Sequence, residues 1–253
     1  MSKMITTGIN GLDELIGGGL PEGRTILIIG GPGSGKTILT AQFLYKGMNG
    51  GQENAVYVSL DESKENFYSE MSQFGWDFRK AEGERKFAFV DATRMSRVAM
   101  LKEKLYKEES RSLRGKLLSV DKLIEEIQAK ISQTGAKRVA VDTLAALVYR
   151  FPDPIERRNT IVDLIESLGD LKVTSLVTTE LGYLGQFERH SLEEEFLVHG
   201  VIMMQTLFSG GTTTRALQVE KMRGAKVNPS LVPYSIDRNG VEVFPNMPLF
   251  SEK

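Results

Sequence analysis

Residues 30–37 read GGPGSGKT, a full match to G-x-x-x-x-G-K-[ST] made by Gly30, Gly31, Pro32, Gly33, Ser34, Gly35, Lys36 and Thr37. The chemistry of this pattern is anion binding. Its glycines let the backbone curl so that successive N–H groups face inward at a helix N-terminus, where the helix dipole also favours negative charge. Lys36 is then placed to reach the β- and γ-phosphates of a nucleoside triphosphate, and Thr37 to hold Mg²⁺. The flanks supply the required context. RTILIIG before the loop is a short β-branched run suited to a buried strand. KTILTAQFLYKG after it has helical spacing at Leu39, Phe43 and Leu44, with Gly47 as the expected stop.

Two carboxylate-bearing segments bear on what happens to a bound phosphate. AVYVSLDES at 55–63 is a second apolar strand ending in Asp61 and Glu62, and a carboxylate at such a strand tip could orient or deprotonate a water for attack on the γ-phosphate. The same pair also suits the N-cap and first turn of a helix, since SKENFYSEM follows. RVAVDTLAAL at 138–147 is a third buried-strand pattern, and Asp142 sits where a Walker B aspartate holds Mg²⁺ through water.

A third constellation is cationic. In LQVEKMRGAK, residues 217–226, strand alternation puts Lys221 and Arg223 on one face near a turn glycine, with Met222 on the other. An edge strand kept soluble by charge explains such a pair. So does an anion that must be gripped from one side.

The elements that must position these groups alternate along the chain. Strands are expected at 24–29, 55–60, 86–90, 138–142, 173–178 and 200–206, then at 215–221, 232–236 and 241–244, with helical stretches between the earlier ones. Strands alternating with helices specify an α/β fold with a mainly parallel sheet covered on both faces. The last three strands look like antiparallel additions, and Arg238-Asn239-Gly240 is a hairpin turn signal. No Pro- or Ser-rich linker interrupts the chain, so residues 1–253 are expected to form a single domain.

Composition narrows the function. The 253 residues are 41% hydrophobic and 26% charged, enough for a full core, and the net charge of −1 gives no overall electrostatic reason to bind nucleic acid or an anionic membrane. With no cysteine, disulfides, thiolate metal sites and a cysteine nucleophile are excluded. No apolar run approaches membrane-spanning length, and the expectation is a cytoplasmic protein.

Taken together, TTGINGLDELIGGGLPEGRTILIIGGPGSGKT, the strand-end pair in VSLDES, AVDTLAAL, the ERR at 156–158, TTE at 178–180, EEEFLVHGVI and VEKMRG are similar to the KaiC branch of the RecA-like P-loop ATPases. The resemblance covers nearly the whole chain. It implies ATP and Mg²⁺ as ligands, hydrolysis at subunit interfaces of a homo-oligomer, a hexameric ring, and coupling to signalling or a protein partner. It also implies that Lys221 and Arg223 act from one subunit on the γ-phosphate held by its neighbour. Asp61 and Glu62 become the catalytic carboxylates, and Thr179 and Glu180 the γ-phosphate-sensing position. Many relatives have glutamate at both carboxylate positions, so the shorter Asp61 leaves open which of the two positions water.

Other readings stay in view. The same fold serves recombinase-like, DNA-dependent ATPases, and a nucleotide-binding regulator with negligible turnover would carry the same loop. The segment 94–116 holds eight basic residues against three acidic, a solvated helix face or a surface for an acidic partner or nucleic acid. After it, Leu117, Ile124, Ile127 and Ile131 make one stripe of an expected amphipathic helix, with Ser119 as N-cap and Gly135 as stop. His190 and His199 lack ligand spacing for a metal. Trp76 reads as a core or loop anchor.

Overall fold

The strands that bury both faces are continuous apolar runs, and the computed structural model, which describes residues 3–93, 120–151, 153–181, 193–209 and 211–249, places them side by side in one half of a nine-stranded sheet. These are β3 (Thr25–Gly30), β4 (Ala55–Ser59), β5 (Phe87–Asp91), β6 (Arg138–Asp142) and β7 (Thr174–Glu180). They are joined by β8 (Gly200–Ser209), β9 (Thr212–Met222), β10 (Val232–Asp237) and β11 (Gly240–Val243). The spatial order is β11-β10-β9-β8-β3-β7-β6-β4-β5. Strands β8 to β5 in that order run parallel, and β9, β10 and β11 are each antiparallel to their neighbour, as expected. A separate two-stranded ribbon, β1 (Met4–Ile5) with β2 (Leu20–Pro21), was not anticipated.

Alternation along β3 divides the core in two. Ile26 and Ile28 share a layer with Leu12 and Leu15 of the short helix α1 (Leu12–Leu15), Leu39, Phe43 and Leu44 of helix α2 (Lys36–Lys46) and Phe67 and Met71 of α3 (Lys64–Ser72). Leu27 and Ile29 face the opposite layer. That layer is built by Leu123, Ile127 and Ile131 of α4 (Val120–Thr134) and by Ile161, Leu164, Ile165 and Leu168 of α5 (Pro154–Asp170). The stripe of α4 runs through Leu123 rather than Ile124, which is only partly buried. Gly135 stops this helix as expected, at φ +68° with its N–H donating to Ile131 O at 2.8 Å. Leu117, Ser119 and the basic segment 94–116 lie outside the described residues. Trp76 is buried and stacks on Phe74 and Tyr45, a core anchor.

Helix α2 stops at Gly47 as expected, though not through a left-handed cap. Helix α2 ends at Lys46, yet the chain continues into one π-helical turn, Gly47–Gly51, before Gln52 takes φ +53°. The reason for glycine is a neighbour. A Cβ at Gly47 would lie 2.2 Å from Nε of Arg138, the side chain at the start of β6. Arg138 is 2% exposed and cannot easily give way. Its guanidinium donates to Glu53 Oε2 at 2.7 Å, Phe43 O at 2.9 Å and Thr6 O at 3.0 Å, and lies 4.5 Å from the Phe43 ring centroid. Gly47→Ala should therefore destabilise the fold by about 1–3 kcal/mol through overpacking. Thermal unfolding reads this as a fall of about 2–4 °C per kcal/mol. An unchanged melting temperature would show that the buried ion pair yields freely.

Candidate functional site

The phosphate loop leaves β3 at Gly30 and enters α2 at Lys36. Gly33 and Gly35 turn it through left-handed φ values of +73° and +91°, which only glycine adopts without strain. Gly30 is needed for contact instead, because a Cβ there would sit 2.5 Å from Ser34 Oγ and 2.6 Å from Met204 O. Pro32 and Gly33 are exposed at the loop crest, and nothing lies within 4 Å of where a Cβ on Gly31 or Gly33 would be. Lys36 folds back over the loop, its Nζ donating to Gly30 O at 2.8 Å and Gly31 O at 3.1 Å. Burial pushes its ammonium pKa down, and the nearby carboxylates Asp142 and Glu180 oppose that shift. From β10, Tyr234 pins the loop by donating to Ser34 O at 2.6 Å. Burial raises its phenol to about 12, so it remains a donor.

Asp142 ends β6 beside the loop helix. Its Oδ2 accepts from Thr37 Oγ1 at 2.6 Å and from the Tyr57 hydroxyl at 2.7 Å, and its Oδ1 accepts from Thr178. Thr37 and Asp142 are thus adjacent, as expected. Tyr57 and Thr178 were not anticipated, since a tyrosine in AVYVS reads as strand core and a threonine in VTTE as ordinary strand polarity. Burial, then Asp142, pushes the Tyr57 phenol far up, so it too stays a donor. A hydroxyl and a carboxylate in contact are hard oxygen donors of the kind Mg²⁺ takes, and the set fits that ion.

The remaining carboxylates lie on the same edge. Glu180 ends β7 in register with Gly30, and Asp142 is in register with Ser59, two residues before Asp61. Thr179 is buried and Glu180 exposed. Neither Asp61 nor Glu62 caps α3; Ser63 does, accepting from Asn66 N. The pair is distinguished by burial. Asp61 is exposed, whereas Glu62 is partly buried in a turn closed by Ser59, whose Oγ accepts from Glu62 N at 2.9 Å and donates to Glu62 O at 2.6 Å. Burial first, then Glu70, Asp142 and Asp61, pushes the Glu62 carboxyl up to about 7. It is poised to exchange a proton near neutrality.

Lys221 and Arg223 do share a face, as alternation predicts, but which face is set by a device that sequence alternation does not contain. Val219 pairs with Ile202 but Lys221 pairs with Val201, so β9 carries a bulge at Glu220. Without it, Lys221 would follow Leu217 and Val219 onto the α2 side of the sheet. The extra residue flips it to the other side. There Lys221 Nζ donates to Glu195 O, and Arg223 Nη2 donates to Phe196 O at 3.2 Å, both carbonyls belonging to α6 (Glu193–Leu197). Burial and the neighbouring Arg223 lower the Lys221 pKa. His199 lies alongside, its O accepting from Arg223 N at 2.7 Å and its ring 2.9 Å from Arg24 Nη1. His190 lies outside the described residues.

Where this pair sits is decisive for what it can reach. Val201, the partner of Lys221, is in register with Leu27, whereas Met204 is in register with Gly30. The cations therefore lie about 10 Å back along β3 from the start of the loop. They leave the sheet at the edge where β3 begins; the loop, Asp61, Glu62, Asp142 and Glu180 gather at the edge where it ends.

A family model described as "ATPase: KaiC" matches residues 5–247. A UPF0273 protein from Methanocaldococcus jannaschii is 34% identical over 245 residues, which make up 96% of this chain and 97% of that protein. The circadian clock oscillator protein KaiC of Picosynechococcus sp. is 32% identical over 96% of this chain, which spans only 45% of its length. The crystal structure of a KaiC-like protein from Pyrococcus horikoshii OT3 matches with a TM-score of 0.79 and 32% identity, covering 97% of this chain and 100% of that one. Among the described residues, no helix is long and apolar enough to cross a membrane.

Proposed function

This chain belongs to the KaiC family of ATPases, and from that premise we propose that it hydrolyses ATP at sites shared between two copies of itself in a ring. The observation that carries this reading is the separation of two half-sites on opposite edges of one sheet. Phosphate-binding backbone and carboxylates stand at one edge and two converging cations at the other, too far back to serve their own loop.

In the joined site each group has a task. The loop N–H groups and Lys36 bind the phosphates, Lys36 exchanging its contacts with Gly30 and Gly31 for phosphate oxygens. Thr37 and Asp142 would hold Mg²⁺, which would supply positive charge to offset that of the phosphate oxygens. Tyr57 and Thr178 fix the Asp142 carboxylate. Glu62 orients the attacking water and takes its proton. The neighbour's Lys221 and Arg223 counter charge developing on the γ-phosphoryl group. Glu180 and Thr179, beside the loop, respond to whether the γ-phosphate is present and pass that to a signalling or protein partner.

Steady-state hydrolysis across a protein dilution series, with and without single-stranded DNA, tests this. Mg²⁺-dependent turnover whose specific activity falls as the assembly dissociates, unchanged by DNA, is expected. Turnover that requires DNA would mark a recombinase-like ATPase instead. Tight ATP binding without turnover would mark a nucleotide-dependent regulator.

A further inference from the structure

The β8–β9 hairpin outruns the sheet that supports it. Gly200–Met204 of β8 pair with β3, but Gln205–Ser209 continue past the phosphate-loop edge and, among the described residues, pair with β9 alone. Five residues of strand project about 16 Å. On the outer side, β10 meets β9 only at Ala216 and Leu217, so the ribbon has no third strand there. Two-stranded ribbons are marginal in water without something packed on them. This one carries Phe208, 78% exposed, near its tip.

The opposite edge offers a match. Phe196, 70% exposed, follows Glu195, and its carbonyl holds Arg223. The two edges also differ in their charged groups: Arg24, Lys221 and Arg223 stand with Glu195 where β3 begins, and Asp61, Glu62 and Glu180 stand with Lys36 where it ends. One chain thus presents two unlike surfaces, each with an exposed phenylalanine. Unlike surfaces that complement each other make a head-to-tail contact, which closes into a ring when its rotation permits.

We propose that the β8–β9 arm docks on the cation edge of a second copy of this chain, with Phe208 packed beside the partner's Phe196. This rests on the shared-site reading and adds the apolar clasp that holds the two half-sites in register. It also accounts for the length of the arm, which overhangs the edge where the neighbour's cations must arrive.

The absence of cysteine makes the test clean. Chains carrying Phe208→Cys, mixed with chains carrying Phe196→Cys in Mg·ATP and treated with a short bismaleimide, should yield a covalent dimer containing one of each. Separately, Phe208→Glu should raise the self-association constant for dissociation roughly 30-fold, the loss of one interface anchor. Binding of ATP by the isolated chain should be unaffected, since the exposed tip supports no core. Assemblies of wild-type size that do not cross-link between these positions, or that link Phe208→Cys chains only to one another, would overturn the docking and leave the shared site standing. A wild-type chain that is monomeric at full specific activity would overturn both.

Discussion

Arg223→Ala should lose hydrolysis by a factor of about 10³–10⁵, the range for cations that complete a phosphoryl-transfer site from outside, and should still bind ATP. The loss and the retention have separate causes. Arg223 is exposed, and its side chain donates to Phe196 O at 3.2 Å, so truncation leaves no buried charge and little strain. The loop, Thr37, Asp142 and Glu62 stand at the other edge and keep their contacts. A fluorescent ATP analogue should therefore bind the variant normally while single-turnover hydrolysis stalls. Wild-type turnover would return the K-x-R pair to its simpler role as surface charge.

Glu62→Gln should slow hydrolysis by about 10²–10⁴, the contribution of a positioned general base, whereas Asp61→Asn should stay near wild type. The structure separates two carboxylates that neighbour each other in sequence. Asp61 is exposed to water, and Glu62 is held partly buried by the Ser59 turn and raised to about 7, chiefly by burial and by Glu70. The sign of the pH dependence follows. A base must be ionised to accept a proton, so kcat/KM, which reports the free enzyme, should be low below pH 7 and climb to a plateau above it with a midpoint about there. That limb should vanish in Glu62→Gln. A limb unchanged in Glu62→Gln but lost in Asp61→Asn would reverse the assignment.

Much of this was legible in the residues because burial and chemistry agreed there. TILIIG, AVYVS, FAFVD and RVAVD are apolar on both faces, which only a covered parallel sheet accommodates. GGPGSGKT between a strand and a helix has one physical purpose, and Asp142 at the tip of a neighbouring strand falls beside it. What escaped lay in pairings between distant segments. TLFSGGTTT has no apolar alternation and reads as a loop, yet Thr212–Thr214 and Leu207–Ser209 supply each other with backbone partners and extend β8 and β9 well beyond 206 and 215. The bulge at Glu220 has no residue marker, although it decides which side of the sheet Lys221 occupies. Arg138 reads as a strand-end charge; its burial depends on Gly47, Glu53 and Thr6 arriving from elsewhere. The capping role open to Asp61 and Glu62 went to Ser63, one residue on.

Complementation between two inactive chains tests the shared site most directly. Lys36→Ala has a dead pocket and intact cations; Arg223→Ala has an intact pocket and no finger. In a random equimolar mixture, roughly a quarter of the head-to-tail interfaces would join a good pocket to a good finger. After subunit exchange in Mg·ATP, each variant alone should remain inactive, and the mixture should recover about that fraction of wild-type specific activity. No recovery in assemblies shown by native mass spectrometry to contain both chains would contradict a site completed by the neighbour's Arg223.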